Sequence, residues 1–139
     1  MSESATHAGL VRSIVQFAEG EFGSLENVAV RDDAIRPMRG EKPPRIVGYI
    51  PDVYAINVPT TRTLIGEAKT PTDLESHRSQ LQIAAFLEFL ARTPSGIFVL
   101  AVPLNTGATA RRVVAQLNAP FARVSTRIVV LDQTNLAWQ

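Results

Sequence analysis

Two short stretches of this chain carry residues able to do chemistry together: Pro51-Asp52 and, fifteen residues beyond that aspartate, Glu67-Ala68-Lys69. Both lie in segments rich in β-branched and apolar residues, Ile46 to Val58 and Arg62 to Lys69. These read as the two strands of a hairpin that turns through Pro59-Thr60-Thr61. Side chains alternate along a strand, so Glu67 and Lys69 project from one face. Pairing across the turn brings Asp52, expected mid-strand, close to the level of Glu67. Two carboxylates and an ammonium in one patch suit a hard divalent cation such as Mg²⁺. Such an ion binds through one or two carboxylates, keeps several waters and takes phosphate oxygens as further ligands. It also lowers the pKa of bound water and polarises a phosphate, while a nearby lysine holds the attacking water or offsets developing charge. The expected chemistry is phosphodiester hydrolysis. Each residue alone has a plainer reading: Pro-Asp often begins a turn, and Glu-x-Lys is often a surface ion pair worth little.

The elements that must position these residues follow from periodicity and turn signals. Leu10, Val11, Ile14, Val15, Phe17, Ala18 and Phe22 recur at helical spacing, which predicts an amphipathic helix over about 6–21, with Gly20 and Gly23 as places to end it. Val28 to Val30 reads as a short strand. Residues 31–45, with Pro37, Gly40, Pro43 and Pro44, read as irregular. Pro51 is expected to interrupt or bulge the strand that contains it. After Lys69, either Thr70 caps a helix with Pro71 in its first turn, or Thr72 caps it with Glu75 closing a capping box. That helix is predicted to run to about Arg92. Ile97 to Val102 is a continuous apolar run, the pattern of a strand covered on both faces. A third helix over about 106–117 and a last strand over 125–131 complete the order α, β, β, β, α, β, α, β. A hairpin followed by α-β-α-β implies an α/β fold with a mixed central sheet flanked by helices.

Asp52 preceded by Pro51, with Glu67-Ala68-Lys69 on the next strand, resembles the signature of the PD-(D/E)XK nuclease superfamily. The resemblance covers about Leu10 to Val102 and implies a restriction-endonuclease-like αβββαβ core, with a C-terminal αβ extension. It implies a nuclease that hydrolyses DNA with Mg²⁺ or Mn²⁺. Asp52 and Glu67 would ligate the metal, the Ala68 carbonyl would complete its shell, and Lys69 would position water or stabilise charge. Gly66 and Ala68 are small neighbours that would keep the site uncrowded. Many members of the superfamily place a carboxylate on the first helix. Stepping 100° per residue from Leu10 selects Glu21 as that further metal ligand rather than Glu19. Many also carry a polar residue, often Gln, on the helix after Glu-x-Lys. Gln80 shares a stripe with Ile83, Leu87 and Leu90 and is the expected catalytic contact, with Gln82 less favourably placed and His77 a possible substrate contact. A backbone-bonded Gln80, a solvated Glu21 and an exposed His77 are the structural alternatives.

The remaining composition bounds the setting. One domain spanning 1–139 is expected, with 45% hydrophobic and 19% charged residues. A net charge of +1 gives no global attraction to nucleic acid, so any basic surface must be local. Candidates are the loop residues Arg31, Arg36, Arg39, Lys42 and Arg45, and further on Arg111, Arg112, Arg123 and Arg127. With no cysteine, disulfides, zinc ribbons and thiol nucleophiles are excluded. The N-terminal residues do not resemble a signal peptide and no apolar run approaches ~18 residues, so a cytoplasmic protein with no membrane contact is expected. DNA is the expected partner. A chain this small is expected to act as a homodimer or with a partner protein. The alternative is a nuclease-fold module that binds nucleic acid or assembles without cutting.

Overall fold

The computed structural model describes residues 5–22, 28–32, 43–57 and 61–132. The leader 1–4, Gly23, most of the cationic loop with Arg36, Arg39 and Lys42, the turn residues Val58 to Thr60 and the tail from Gln133 lie outside them. Helix α1 (Ala5–Phe22) is followed by strands β1 (Val28–Asp32), β2 (Val53–Asn57) and β3 (Thr63–Ala68). Then come α2 (Pro71–Glu75), α3 (His77–Ala91), β4 (Gly96–Ala101), α4 (Gly107–Asn118) and β5 (Arg127–Leu131). The protein is α/β, and among the described residues five strands lie side by side in chain order. β1–β2 and β2–β3 are antiparallel, while β3–β4 and β4–β5 are parallel.

β3 and β4 are buried along their whole length, because helices cover both faces of the sheet centre. On one face, Leu10, Val11, Ile14 and Ala18 of α1 pack on Val53, Ala55, Leu64 and Val99. On the other, Ile83, Phe86 and Leu90 of α3 join Ala110 and Val114 of α4 over Ile65, Phe98 and Leu100. Parallel crossovers are right-handed almost without exception. Two that step the same way along a sheet therefore put their helices on the same side.

Alternation along β3 sends Leu64, Gly66 and Ala68 toward α1, and Ile65 and Glu67 toward α3. The small size of Gly66 therefore does not keep the patch around Glu67 and Lys69 uncrowded, contrary to expectation. It serves the opposite face, where a β-carbon would collide with the side chain of Ile14.

Two local departures bear on the site. The segment from Ile46 is not one long strand: β2 begins only at Val53, and Asp52 sits one residue before it. Pro51 has no N–H to give a ladder, and the partner strand ends at Ala68. Residues 46–49 instead close a tight turn in which Ile46 and Tyr49 exchange both backbone hydrogen bonds. The helix after Lys69 is also broken. Thr70 and Asp73 cap α2 reciprocally, so Thr70 rather than Thr72 starts it. Ser76 is extended (φ −77°, ψ 143°), ends α2, and accepts from the Ser79 N–H to cap α3.

Candidate active site

The β2–β3 register pairs Val53 with Gly66, so Asp52 falls opposite Glu67 where the ladder runs out. Side chains continue the ladder from there. The Asp52 N–H donates to Glu67 Oε1 at 3.2 Å, and the Ala68 N–H donates to Asp52 Oδ2 at 2.8 Å. Each carboxylate thus locks the other's strand in register. Lys69 follows on the same face as Glu67, its Nζ 3.3 Å from Glu67 Oε2, and the Lys69 N–H is tied to the Ala101 carbonyl of β4. Asp52, Glu67 and Lys69, expected together, are together.

The electrostatics of this group are unbalanced. Glu67 is 1% exposed. Burial raises its carboxyl well above the usual range, the charge of Asp52 raises it further, and Lys69 pulls the other way. Two carboxyl groups and one ammonium meet in a nearly dry place, where a proton on Glu67 or a further cation would offset the repulsion. Asp52, less buried than Glu67, gives the pair an outlet toward solvent.

Other expected residues are placed differently. Gln80 does not reach the cluster: its Nε2 donates to the Leu74 carbonyl at 3.2 Å and so ties α3 back onto α2. Gln82 takes the expected role, accepting from Lys69 Nζ at 2.7 Å. The buried stripe of α3 runs through Ser79, Ile83, Phe86, Leu87 and Leu90. At 100° per residue Gln80 and Gln82 flank it on opposite sides, each about 80° from its centre. Phase alone could not choose between them.

Glu21 is not part of the site. Its carboxylate pairs with Arg62 and Arg127, at the starts of β3 and β5. From Arg62 to Glu67 is about 16 Å along a strand. α1 runs antiparallel to β3, so its first turn, not its last, meets the site. There His7 Nε2 lies 3.4 Å from Asp52 Oδ2. Sequence reasoning missed His7, although a signal existed: it falls three, four and seven residues before Leu10, Val11 and Ile14 on the buried stripe.

His77 is exposed at the start of α3. Arg111, Arg112 and Arg127 pair with Asp132, Glu75 and Glu21 respectively, so those parts of the expected basic surface are partly neutralised within the chain. The apolar groove between α4 and β5, lined by Val114, Ala119, Ile128 and Val130, shares no residue with the cluster.

No protein-family model, curated protein or solved structure matches the chain.

The donor set decides which ion the cluster suits. Among the described residues no three or more His, Asp and Glu side chains are grouped to hold a metal ion. The cluster therefore offers the two carboxylates of Asp52 and Glu67. A two-carboxylate set of hard oxygens fits Mg²⁺ or Mn²⁺, which leave most of their sphere to water and phosphate. It does not fit an ion that needs a closed cage. Among the described residues no helix is long and apolar enough to cross a membrane.

Proposed function

We propose that this protein is a divalent-metal-dependent deoxyribonuclease of the PD-(D/E)XK type. The observation that carries the reading is the convergence of Asp52, buried Glu67 and Lys69 at one end of the β2–β3 hairpin. The element order α1-β1-β2-β3-α2-α3-β4 also agrees with a restriction-endonuclease-like core, followed by an αβ extension.

In this mechanism Asp52 and Glu67 would hold Mg²⁺ or Mn²⁺, with the Ala68 carbonyl at the same strand end as a further oxygen. Bound there, such an ion would supply Lewis-acid chemistry, lowering the pKa of a water and polarising a phosphate. Lys69 presents its ammonium beside Glu67, where it orients that water or offsets negative charge on the phosphoryl oxygens. Gln82 and Glu67 hold the Lys69 ammonium from two sides, so its position is set before substrate arrives. The partner is DNA, and specificity comes from a second copy, a partner protein or the shape of the DNA.

One observation favours a rival reading. The carboxylate oxygens of Asp52 and Glu67 already accept backbone N–H groups, as they would in a purely structural lock for a binding or assembly module. Titration with Mn²⁺ separates the two. A nuclease site gains thermal stability as Mn²⁺ saturates it and nicks a panel of labelled DNA structures. Asp52→Ala, lacking one hard oxygen ligand, should lose both responses. A wild-type protein that gains no stability from Mn²⁺ or Mg²⁺ and cuts nothing would leave the structural lock as the explanation.

A further inference from the structure

The turn at residues 46–49 lies just ahead of Asp52 and has an unusual tip. Its two central residues, Val47 (φ 51°) and Gly48 (φ 86°), both have positive φ, as in the tightest hairpin turns. Such turns favour Asn-Gly or Gly-Gly, because a side chain branched at Cβ crowds the backbone in the left-handed region. Here the first position is valine, and it is 59% exposed. Ile50, two residues after Gly48, is 36% exposed. Neither backbone comfort nor burial accounts for a branched apolar residue at this tip. Local choices that break such rules cluster at functional positions.

The base of the turn is rigid while its tip is bare. Ile46 is buried in the α3 core, and the Tyr49 ring packs edge-on against Phe86 with centroids 6.2 Å apart. Arg45 donates from Nη1 to the Gly48 carbonyl at 2.9 Å, which holds an exposed guanidinium beside the apolar tip. Five N–H donors on that group leave others for a phosphate. Two apolar side chains, one exposed and one partly covered, are far too small for a stable protein interface, which needs about 800 Å² from each partner. They are the right size for a single base step, where proteins insert isoleucine, leucine or similar wedges to unstack and bend a duplex.

We propose that Val47 and Ile50 form an apolar wedge that enters the base stack of duplex DNA beside the phosphate presented to Asp52 and Glu67, with Arg45 on the flanking backbone. The proposal rests on the nuclease reading for its substrate, and specifies how that substrate is engaged.

The test uses the full chain and a short duplex carrying 2-aminopurine, with Ca²⁺ in place of Mn²⁺ for binding and Mn²⁺ for cleavage. Saturating wild-type protein should raise the 2-aminopurine emission, which reports unstacking. Val47→Asn suits the positive φ, so it should unfold at the same or a higher temperature. It should nevertheless lose most of the emission rise and cut the duplex at least about tenfold more slowly. Val47→Ile, which keeps an apolar tip, should retain both. Unchanged emission and rate in Val47→Asn would overturn the wedge while leaving the nuclease intact. Wild-type protein that unstacks the duplex but never cuts it would keep the wedge and remove the nuclease. Wild-type protein that binds no duplex, or a Val47→Asn change that converts a dimer into a monomer, would also overturn the wedge.

Discussion

The two ends of β3 each carry a cluster of carboxylates and cations, with opposite balance. At the Lys69 end two carboxylates, Asp52 and Glu67, share one ammonium in a nearly dry pocket, with the His7 imidazole 3.4 Å from Asp52. At the Arg62 end one carboxylate, Glu21, sits between two guanidiniums, and the arginine side chains are 34% and 55% exposed. Both arginines also lie over rings, Arg62 over Phe22 and Arg127 over Phe17, so that end is satisfied within the chain. Carboxyl groups outnumber lysine and arginine two to one at the first end, and the reverse holds at the second. Similar residue types gathered at the two ends of one strand thus sit in different settings, one nearly dry and the other screened by water.

The largest expected effect follows from breaking the unbalanced end. Lys69 is a cation and cannot ligate a divalent ion, so Lys69→Ala should leave metal-dependent stabilisation intact or strengthen it. Cleavage should fall by a factor on the order of 10² or more, the loss seen when one preorganised transition-state contact is deleted. Gln82→Ala removes only a support of that ammonium. It should lower cleavage less than Lys69→Ala does, leave metal affinity alone, and add little to Lys69→Ala in the double variant. Gln80→Ala, by contrast, loses a hydrogen bond to the Leu74 carbonyl and should change stability rather than cleavage. A nicking assay run beside an Mn²⁺ thermal-shift titration reads all of these. Wild-type cleavage by Lys69→Ala would reduce Lys69 to a structural partner of Glu67.

These contrasts also show what the sequence made legible. The strand segments, the hairpin and the alternation that aligns Glu67 with Lys69 are local properties of chain pattern, and they place the core triad. The misplaced residues turn on relations between elements. Helical phase identified the inward stripe of α1 correctly, but not which end of it meets Asp52. Glu21 was therefore chosen where His7 stands. The same ambiguity exchanged Gln80 for Gln82, since handedness of approach rather than phase selects the flank of α3 that faces Lys69. The turn at residues 46–49 was hidden because Val47 is a residue no turn rule would put at positive φ.

A smaller effect should appear in the pH dependence of the unbalanced end. Burial and Asp52 hold the Glu67 carboxyl above its ordinary value of 4.5, so the folded state binds that proton more tightly than the unfolded state. The stability this supplies is complete below the ordinary value and is lost as pH rises through the raised one. Without divalent ions, stability should therefore decline with rising pH over that interval. Saturating Mn²⁺ favours the ionised carboxylate and should flatten the decline. Glu67→Gln has no proton to release and should show a shallower slope than wild type, insensitive to Mn²⁺. Parallel slopes for the two proteins would mean that Glu67 ionises without penalty, and the case for an ion-seeking site would weaken.

The smallest effect belongs to the Arg62 end. Glu21→Ala deletes the carboxylate between Arg62 and Arg127 but leaves both guanidiniums over their rings and open to water. Half-exposed pairs are worth about 0–1 kcal/mol each, because water screens the attraction and two long side chains lose freedom. The unfolding midpoint should therefore drop by no more than a few degrees, and the difference should shrink at high salt as the Debye length contracts. Cleavage and Mn²⁺ affinity should stay at wild-type levels, since the nearest ligand candidate stands about 16 Å away along β3. Loss of metal-dependent stabilisation in Glu21→Ala would contradict this. It would mean that the carboxylate reaches the Asp52–Glu67 end in solution, and the contrast between the two ends of the strand would fail.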